Sequence, residues 1–385
     1  MIERKAFAMH RRDFIRVVGG GAILAATASC APAGADPRAA WVNPGAAETD
    51  IRRKALSFAI LAPNPHNMQP WIVDLSVADE ITLYIDHTRL LPVTDPFNRQ
   101  IVIGCGAFLE LLVMALADQG RTAMAEVFPD GEPQPLLDRR PLFRVRIAAA
   151  ATARDPLFAE TLQRRTNREA FADRAIPATA VAALDASVPA GPAVLTVETA
   201  PARVAVLRDL VYRGAIIEAY TPAAHRESVE RTFIGARDVA THPWGISLDN
   251  PMMTALNAAG VLTKAKMETP GTTAYDEALK FLKTGADTAR GFVWIVTADD
   301  SRASQIAAGR AYVRSNLAAA AQGLAMQPFS QGLQEYATQK PVYDELHKDL
   351  APGGGRIQML SRIGYPKTPL RPAPRRGLAA QLRKA

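Results

Sequence analysis

Apolar residues recur with helical or strand spacing along most of the chain after residue 50. Ile51, Ala55 and Phe58 fall on one face of a helix predicted over residues 50–61, whereas apolar and polar residues alternate over residues 80–85, as in a strand. The same two spacings predict strands near 71–77, 142–149, 193–198, 291–298 and 356–364, and helices near 178–186, 202–219, 224–238 and 302–322. Because these elements mix without a regular βαβ rhythm, the predicted fold class is α+β.

Two stretches of equal length resemble each other. Residues 106–120 (GAFLELLVMALADQG) and 309–323 (GRAYVRSNLAAAAQG) both start with Gly, end in Gln-Gly and are followed within a few residues by Ala-Met. They lie 203 positions apart. A repeat of this kind predicts two related halves in one chain, and a chance match between Ala-rich helices is the alternative.

The first thirty-five residues have the composition of an export signal. Arg11 and Arg12 precede a short apolar run, and small residues follow it, so residues 1–35 are predicted to be a twin-arginine signal that engages the twin-arginine export machinery and directs the chain to the periplasm. A disordered basic leader is the alternative, and a lipid anchor at Cys30 is a lesser one. The Ala-, Gly- and Pro-rich residues 36–49 are predicted to form a linker.

Charge and motifs exclude several classes of protein. The chain has 385 residues and a net charge of +7, and removal of residues 1–35 leaves +4, so a nucleic-acid-binding or basic structural protein is disfavoured. The six histidines show no metal-ligand spacing, and neither a phosphate loop nor a nucleophile elbow is present in the sequence. A metalloenzyme and a hydrolase therefore have no support.

A loop of prolines and amides follows the first predicted helix. Within residues 62–71 (APNPHNMQPW), the amides of Asn64, Asn67 and Gln69 offer both hydrogen-bond donors and acceptors. The pyrimidine edge of a flavin requires this mixture, and Trp71 or Met68 is suited to support the flat ring. A polar turn beside a buried tryptophan is the alternative.

A second segment concentrates positive charge. Residues 164–168 (RRTNR) carry three arginines and a threonine, and arginine donates charge-assisted, bidentate bonds to phosphate. Arg375 and Arg376, near the C-terminus, are candidates to add charge to the same phosphate. A solvated helix end and a solvated basic tail are the alternatives.

These motifs occur in an order that resembles a known family. Residues 66–71 (HNMQPW), 86–96 (DHTRLLPVTDP), 164–171 (RRTNREAF), 323–328 (GLAMQP) and 362–365 (RIGY) are similar to the Acg-like branch of the nitroreductase family, which binds FMN. The resemblance implies a nitroreductase-type fold in which residues 50–155 and 156–385 form the two halves of an intramolecular pseudo-dimer, so that the protein is a monomer with one composite site.

The resemblance also implies site residues. Those assigned to bind the cofactor are Pro63, Asn64, His66, Asn67, Gln69, Arg164, Arg165, Thr166, Arg168, Gln327, Ser330, Arg375 and Arg376. The family's common serine after the first proline is Asn64 here.

The implied function is an FMN-dependent oxidoreductase. It would reduce a small nitro, quinone or similar electron-poor acceptor by hydride transfer at flavin N5, with no catalytic side chain and no metal. The alternative is a protein that binds and sequesters FMN with little turnover. In that case residues 242–246 and 250–253 are candidates for a segment that covers the flavin.

Overall fold

The computed structural model describes residues 36–150 and 152–383, and its fold is α+β, as predicted. The predicted signal, with Cys30, lies outside the described residues. The first half contains helices α1 (Ile51–Ala59) and α2 (Arg99–Asp118) and strands β1 (Trp71–Asp74), β2 (Glu80–Ile85), β3 (Thr122–Val127) and β4 (Phe143–Ala148).

The second half repeats this plan with a long insertion between its first two strands. It contains α3 (Ala178–Asp185), β5 (Ala193–Glu198), α4 (Pro201–Tyr220), α5 (Pro222–Glu230), β6 (Thr232–Ile234), α6 (Ala236–Thr241), β7 (Ile246–Leu248), α7 (Pro251–Ala258), α8 (Lys264–Glu268), α9 (Thr273–Asp287), β8 (Gly291–Thr297), α10 (Arg302–Ala321), β9 (Ala325–Pro328), α11 (Lys340–Leu350) and β10 (Arg356–Gly364).

Local chemistry explains the boundaries of several elements. The side chain of Asp50 accepts a hydrogen bond from the backbone N–H of Arg52 and so caps α1. In β2, Ile81 and Leu83 are buried in the core of the first half. Helix α2 is apolar on all sides and almost wholly buried; it is the one described helix long and apolar enough to cross a bilayer.

The two halves have the same topology. Each contains a four-stranded antiparallel sheet, with strand orders β1-β2-β4-β3 and β5-β8-β10-β9, so both follow the sequence first, second, fourth, third. In each half the long helix, α2 or α10, connects the second strand to the third. The repeat seen in the sequence is therefore a repeat of structure.

The halves meet where α2 and α10 cross. A Cβ atom added at Gly106 would collide with the carbonyl oxygen of Ile306, and one added at Gly309 would collide with that of Ile103. Gly106 and Gly309 are 203 positions apart, and so are Ile103 and Ile306, so the contact is reciprocal, as across a two-fold axis. The absence of side chains at the two glycines lets the helix backbones touch.

Two expectations from the sequence are corrected. The helix predicted over residues 224–238 is interrupted by β6, because Thr232 to Ile234 pair with β7 and Gly235 has a φ of 89°, which a helix does not allow. The predicted linker is packed against the protein: Trp41 is buried, and Arg38 forms a two-pronged ion pair with Asp249 at 2.8 and 2.9 Å.

The C-terminal arm, residues 366–383, also departs from the predicted division. It leaves the second half and returns to the first, where Leu382 pairs with Val73 of β1 and the Gln381 side chain accepts a hydrogen bond from the indole of Trp71. The first half is thus completed by chain from beyond the boundary near residue 155.

We expect Gly309→Ala to destabilise the protein by roughly 3 kcal/mol, because the new methyl group meets backbone that cannot move without separating the halves. The midpoint and slope of urea unfolding measure this. Gly353→Ala, in a loop where an added Cβ meets nothing within 4 Å, is the matched control. An unchanged midpoint for the Gly309 variant would contradict the close helix crossing.

Candidate functional site

The loop after α1 is held in a strained conformation. His66, Asn67 and Gln69 have positive φ angles of 46°, 54° and 51°, which non-glycine residues rarely adopt. The Asn64 side chain fixes this shape, since its Oδ1 accepts the backbone N–H of Gln69 at 2.8 Å and its Nδ2 donates to the carbonyl of Ala62 at 3.0 Å. Strain of this kind, supported by dedicated hydrogen bonds, is typical of a functional site.

The amides that the sequence assigns to the flavin ring are bonded to two distant segments. Gln69 donates to the carbonyl of Pro243 at 3.0 Å and accepts the backbone N–H of Arg376 at 2.8 Å. Asn67 donates to the carbonyls of Gly245 (3.2 Å) and Pro374 (3.0 Å). These side chains therefore clamp the loop between the C-terminal arm and the cover segment, which we define as residues 242–246.

Arg375 occupies the centre of this clamp. Its guanidinium donates to Asn67 Oδ1 at 2.6 Å and to the carbonyls of Ile60, Leu61 and Ala62 at 3.0, 3.0 and 3.2 Å. Arg376 instead donates to the carbonyl of Gln69 and, through its other terminal nitrogen, to that of Ala380. Both arginines therefore hold the loop in place. The sequence did not indicate this role, because it does not show that the C-terminal arm returns to the first half.

The arginine segment lies beside the loop. Arg164 is buried and donates to the carbonyl of Leu61 at 3.1 Å, and Arg165 donates to the carbonyls of Leu162 and Arg164 at 2.7 and 2.8 Å. The Nε–H of each has no partner among the described residues. Arg168 is exposed to solvent and makes no hydrogen bond or ion pair to the described residues, although the protein around it lowers its pKa by desolvation.

Trp41 joins the arginine segment to the C-terminal arm. The guanidinium carbons of Arg164, Arg165 and Arg375 lie 5.8, 4.9 and 5.3 Å from the centre of its ring, within cation–π distance. The indole N–H donates to the carbonyl of Ala373 at 2.8 Å. Sequence analysis missed this residue, whose only signal is that it is an isolated aromatic in a segment of small residues.

Arg164, Arg165, Arg168 and Arg375 form a positive arginine cluster that has no acidic partner among the described residues. No carboxylate of the described residues lies within ion-pair distance of these four arginines or of Arg231, which caps the C-terminus of α5. Desolvation, with repulsion from Arg165, lowers the pKa of Arg164 to about 10, and desolvation lowers that of Arg375 as well. Buried like charges without a counterion are unfavourable, so the cluster is suited to hold an anion.

The remaining predicted residues lie at the edge of the second sheet. Thr166 forms a β-bridge with Met326, which places the arginine segment alongside β9. The side chain of Gln327 accepts a hydrogen bond from the buried Arg362 at 2.6 Å, and Ser330 precedes the turn that follows β9. Gln327 thereby orients Arg362, while no hydrogen bond among the described residues connects Ser330 with the loop.

His66 is the point at which the loop faces the insertion of the second half. Its Nε2 lies 3.1 Å from Ser228 Oγ on α5. Desolvation, then the charges of Arg168 and Arg231, lower its pKa to about 4, so the imidazole is neutral at pH 7. Ser228 and Arg231 carried no signal in the sequence that set them apart from other residues of a helix.

No family model matches the chain. It is 26% identical over 338 residues to the Mycobacterium tuberculosis protein named "Putative NAD(P)H nitroreductase Rv3131", covering 86% of this chain and 91% of that protein. It is 38% identical over 84 residues to "Putative NAD(P)H nitroreductase acg" of the same organism, covering 21% of this chain and 24% of that protein. Among solved structures, the FMN-dependent nitroreductase NfnB from Mycobacterium smegmatis in complex with NADPH is 18% identical, with a TM-score of 0.35, covering 58% of this chain and 94% of that one.

We expect acid to weaken the fold partly through His66. An unfolded imidazole has a pKa near 6.5, so the unfolded chain binds more protons than the folded one as the pH falls, and stability present above about 6.5 is lost toward about 4. His66→Gln should show a smaller decrease in urea midpoint between pH 7 and pH 5 than the parent protein. His87→Gln, at an exposed histidine, is the control; an equal decrease in the parent protein and the His66 variant would refute the assignment.

Proposed function

We propose that this chain is an FMN-dependent oxidoreductase of the nitroreductase family that reduces nitro, quinone or similar electron-poor small molecules. The observation that carries the proposal is the arginine cluster without acidic partners beside a strained, amide-rich loop. The similarity over most of its length to a relative named as an NAD(P)H nitroreductase supports the same assignment.

The phosphate of FMN fits the arginine segment. A phosphate monoester presents three strong acceptor oxygens and up to two negative charges. The unpartnered Nε–H groups of Arg164 and Arg165 and the free guanidinium of Arg168 supply matching donors, with the hydroxyl of Thr166 beside them. Binding there would satisfy buried donors and neutralise the cluster at the same time.

The ring end of FMN is assigned to the loop over Pro63 to Gln69. Asn64, Asn67 and Gln69 each accept one hydrogen bond at the amide oxygen, which leaves a second lone pair on each oxygen. We infer that these side chains act chiefly by holding the loop, and that the loop orients the ring. Bound FMN supplies the hydride chemistry, while the chain's own residues bind it, orient it and exclude water.

We expect Arg168→Gln to weaken the binding of FMN by about tenfold to a hundredfold, the value of one charge-assisted hydrogen bond. Its binding of riboflavin, which lacks the phosphate, should be unchanged. Fluorescence titration of cofactor-free protein with each flavin measures both affinities.

Arg154→Gln, at an exposed arginine outside the cluster, controls for a general loss of positive charge. Equal weakening of FMN and riboflavin would show that Arg168 does not contact the phosphate. Failure of the parent protein to bind FMN at all would end the proposal.

A second candidate function is the holding of flavin with little turnover. The observation that favours it is the pair of hydrogen bonds by which the cover segment occupies Asn67 and Gln69. An enzyme should be reoxidised rapidly by at least one member of a panel of nitroaromatics and quinones after reduction with dithionite. Slow reoxidation by every acceptor, followed by flavin absorbance, would instead favour the holding protein.

We also propose that residues 1–35 export the folded protein to the periplasm. NAD(P)H is cytoplasmic, so the physiological electron donor would then be a different reductant, either soluble or in the membrane. An Arg11→Lys, Arg12→Lys double variant should remain in the cytoplasmic fraction when cell fractions are compared.

A further inference from the structure

We propose that Glu218, Ser228 and His66 form a proton relay that delivers a proton to the acceptor reduced in the candidate site. The inference rests on the proposed function, because a hydride acceptor needs a proton to complete its reduction. Of the three residues, only His66 has an assigned role, as a residue of the predicted cofactor site.

The relay is continuous in the structure. His66 Nε2 lies 3.1 Å from Ser228 Oγ, and Ser228 Oγ lies 2.9 Å from Glu218 Oε1. Each step is a normal hydrogen bond. The three residues come from the loop of the first half and from α5 and α4 of the second, so the relay exists only when the halves are assembled.

The second oxygen of Glu218 is fixed as an acceptor. Gln334 Nε2 donates to Glu218 Oε2 at 2.6 Å, and Gln334 Oε1 accepts from the hydroxyl of Tyr336 at 2.8 Å. Gln339 in turn donates to that hydroxyl at 3.4 Å, which leaves the hydroxyl proton for Gln334. This order assigns the amide nitrogen of Gln334 to Glu218, so a proton on Glu218 resides on Oε1, the oxygen that faces Ser228.

The other end of the relay is free. His66 Nδ1 makes no hydrogen bond to any described residue. A neighbouring carboxylate on the same helix as Ser228 shows the contrast. Glu227 accepts hydrogen bonds from the backbone N–H of Val93 and from the backbone N–H and hydroxyl of Thr94. It therefore anchors α5 to the first half and takes no part in the relay.

The surrounding charges suit a relay. Burial raises the pKa of Glu218, and the charge of Glu227 adds to this, so a proton is retained on Glu218 at a higher pH than usual. Desolvation, with the charges of Arg168 and Arg231, lowers the pKa of His66 and keeps its imidazole neutral. A neutral imidazole passes a proton from one nitrogen to the other without storing it.

The step balances as follows. Bound FMN would supply the acceptor with a hydride, including its electron pair, and His66 Nδ1 would donate the proton. The Ser228 hydroxyl proton moves to His66 Nε2, and the proton of Glu218 moves to Ser228 Oγ. Glu218 is left as a carboxylate and His66 as the tautomer with its proton on Nε2. Uptake of one proton from water at His66 Nδ1 then sends the Nε2 proton back to Ser228 and the Ser228 proton back to Glu218, which restores the starting state.

The first test follows reoxidation of dithionite-reduced protein by an acceptor, in H₂O and in D₂O. Ser228→Ala should slow the step tenfold or more and change its solvent isotope effect and pH profile, and Glu218→Gln should do the same. Ser228→Thr retains a hydroxyl and should restore most of the rate. Ser187→Ala removes a comparable helix-end hydroxyl bond in α3 and is the control.

The second test uses the cofactor-free protein, so it does not depend on flavin chemistry. In ¹⁵N NMR spectra of histidine-labelled protein, the ring signals of His66, assigned with His66→Gln, should respond to the titration of Glu218. Both Ser228→Ala and Glu218→Gln should abolish that response, while Ser187→Ala should not.

The outcomes separate the two proposals. Protein that binds no FMN fails the proposed function, yet the NMR titration still confirms or refutes the relay. Protein that binds FMN and turns over, but whose Ser228→Ala variant has the parental rate, isotope effect and His66 signals, refutes the relay alone. A slow Ser228→Ala variant that Ser228→Thr does not restore would show a packing effect and likewise overturn it.

Discussion

The close approach of α2 and α10 is the constraint on which the rest of the structure depends. Because Gly106 and Gly309 carry no side chain, the two helix backbones touch, and each helix contributes side chains to the core of the other half. The crossing also positions the site. Gly104, two residues before Gly106 in α2, accommodates the loop at Asn64. Tyr312, three residues after Gly309 in α10, lies close enough to Arg164 and Arg168 to affect their pKa values.

The halves are related but no longer equivalent. Glu110 of α2 is buried and pairs with Arg310 and Arg314 of α10 at 2.6 and 2.7 Å. At the reciprocal positions, 203 residues apart, stand Val313, Ala107 and Leu111, none of which is charged. This ion pair is present on one side of the helix crossing only, whereas a symmetric dimer of identical chains would contain it twice. The two halves therefore present different side chains to each other.

The site combines fixed shape with uncompensated charge. The loop's amides are tied to the cover segment and the C-terminal arm, so its strained backbone is set by chain segments more than 170 positions away. The arginines, in contrast, are held by carbonyl oxygens and by the ring of Trp41, neither of which cancels their charge. This division gives a rigid support beside a place where an anion is electrostatically favoured.

The sequence by itself determined the α+β class, most helices and strands, and the repeat, since these follow from local periodicity and from matched glycines. It also identified the loop and the arginine segment as chemically distinctive. Only the tertiary structure decided that Trp41 packs against the arginines and that β6 interrupts a predicted helix. It alone also decided that Arg375 donates to Asn67 and that Gln69 accepts from the backbone of Arg376. The physical reason is that propensity and spacing act over a few residues, whereas the partner of a buried polar group is set by whichever distant backbone the fold brings to it.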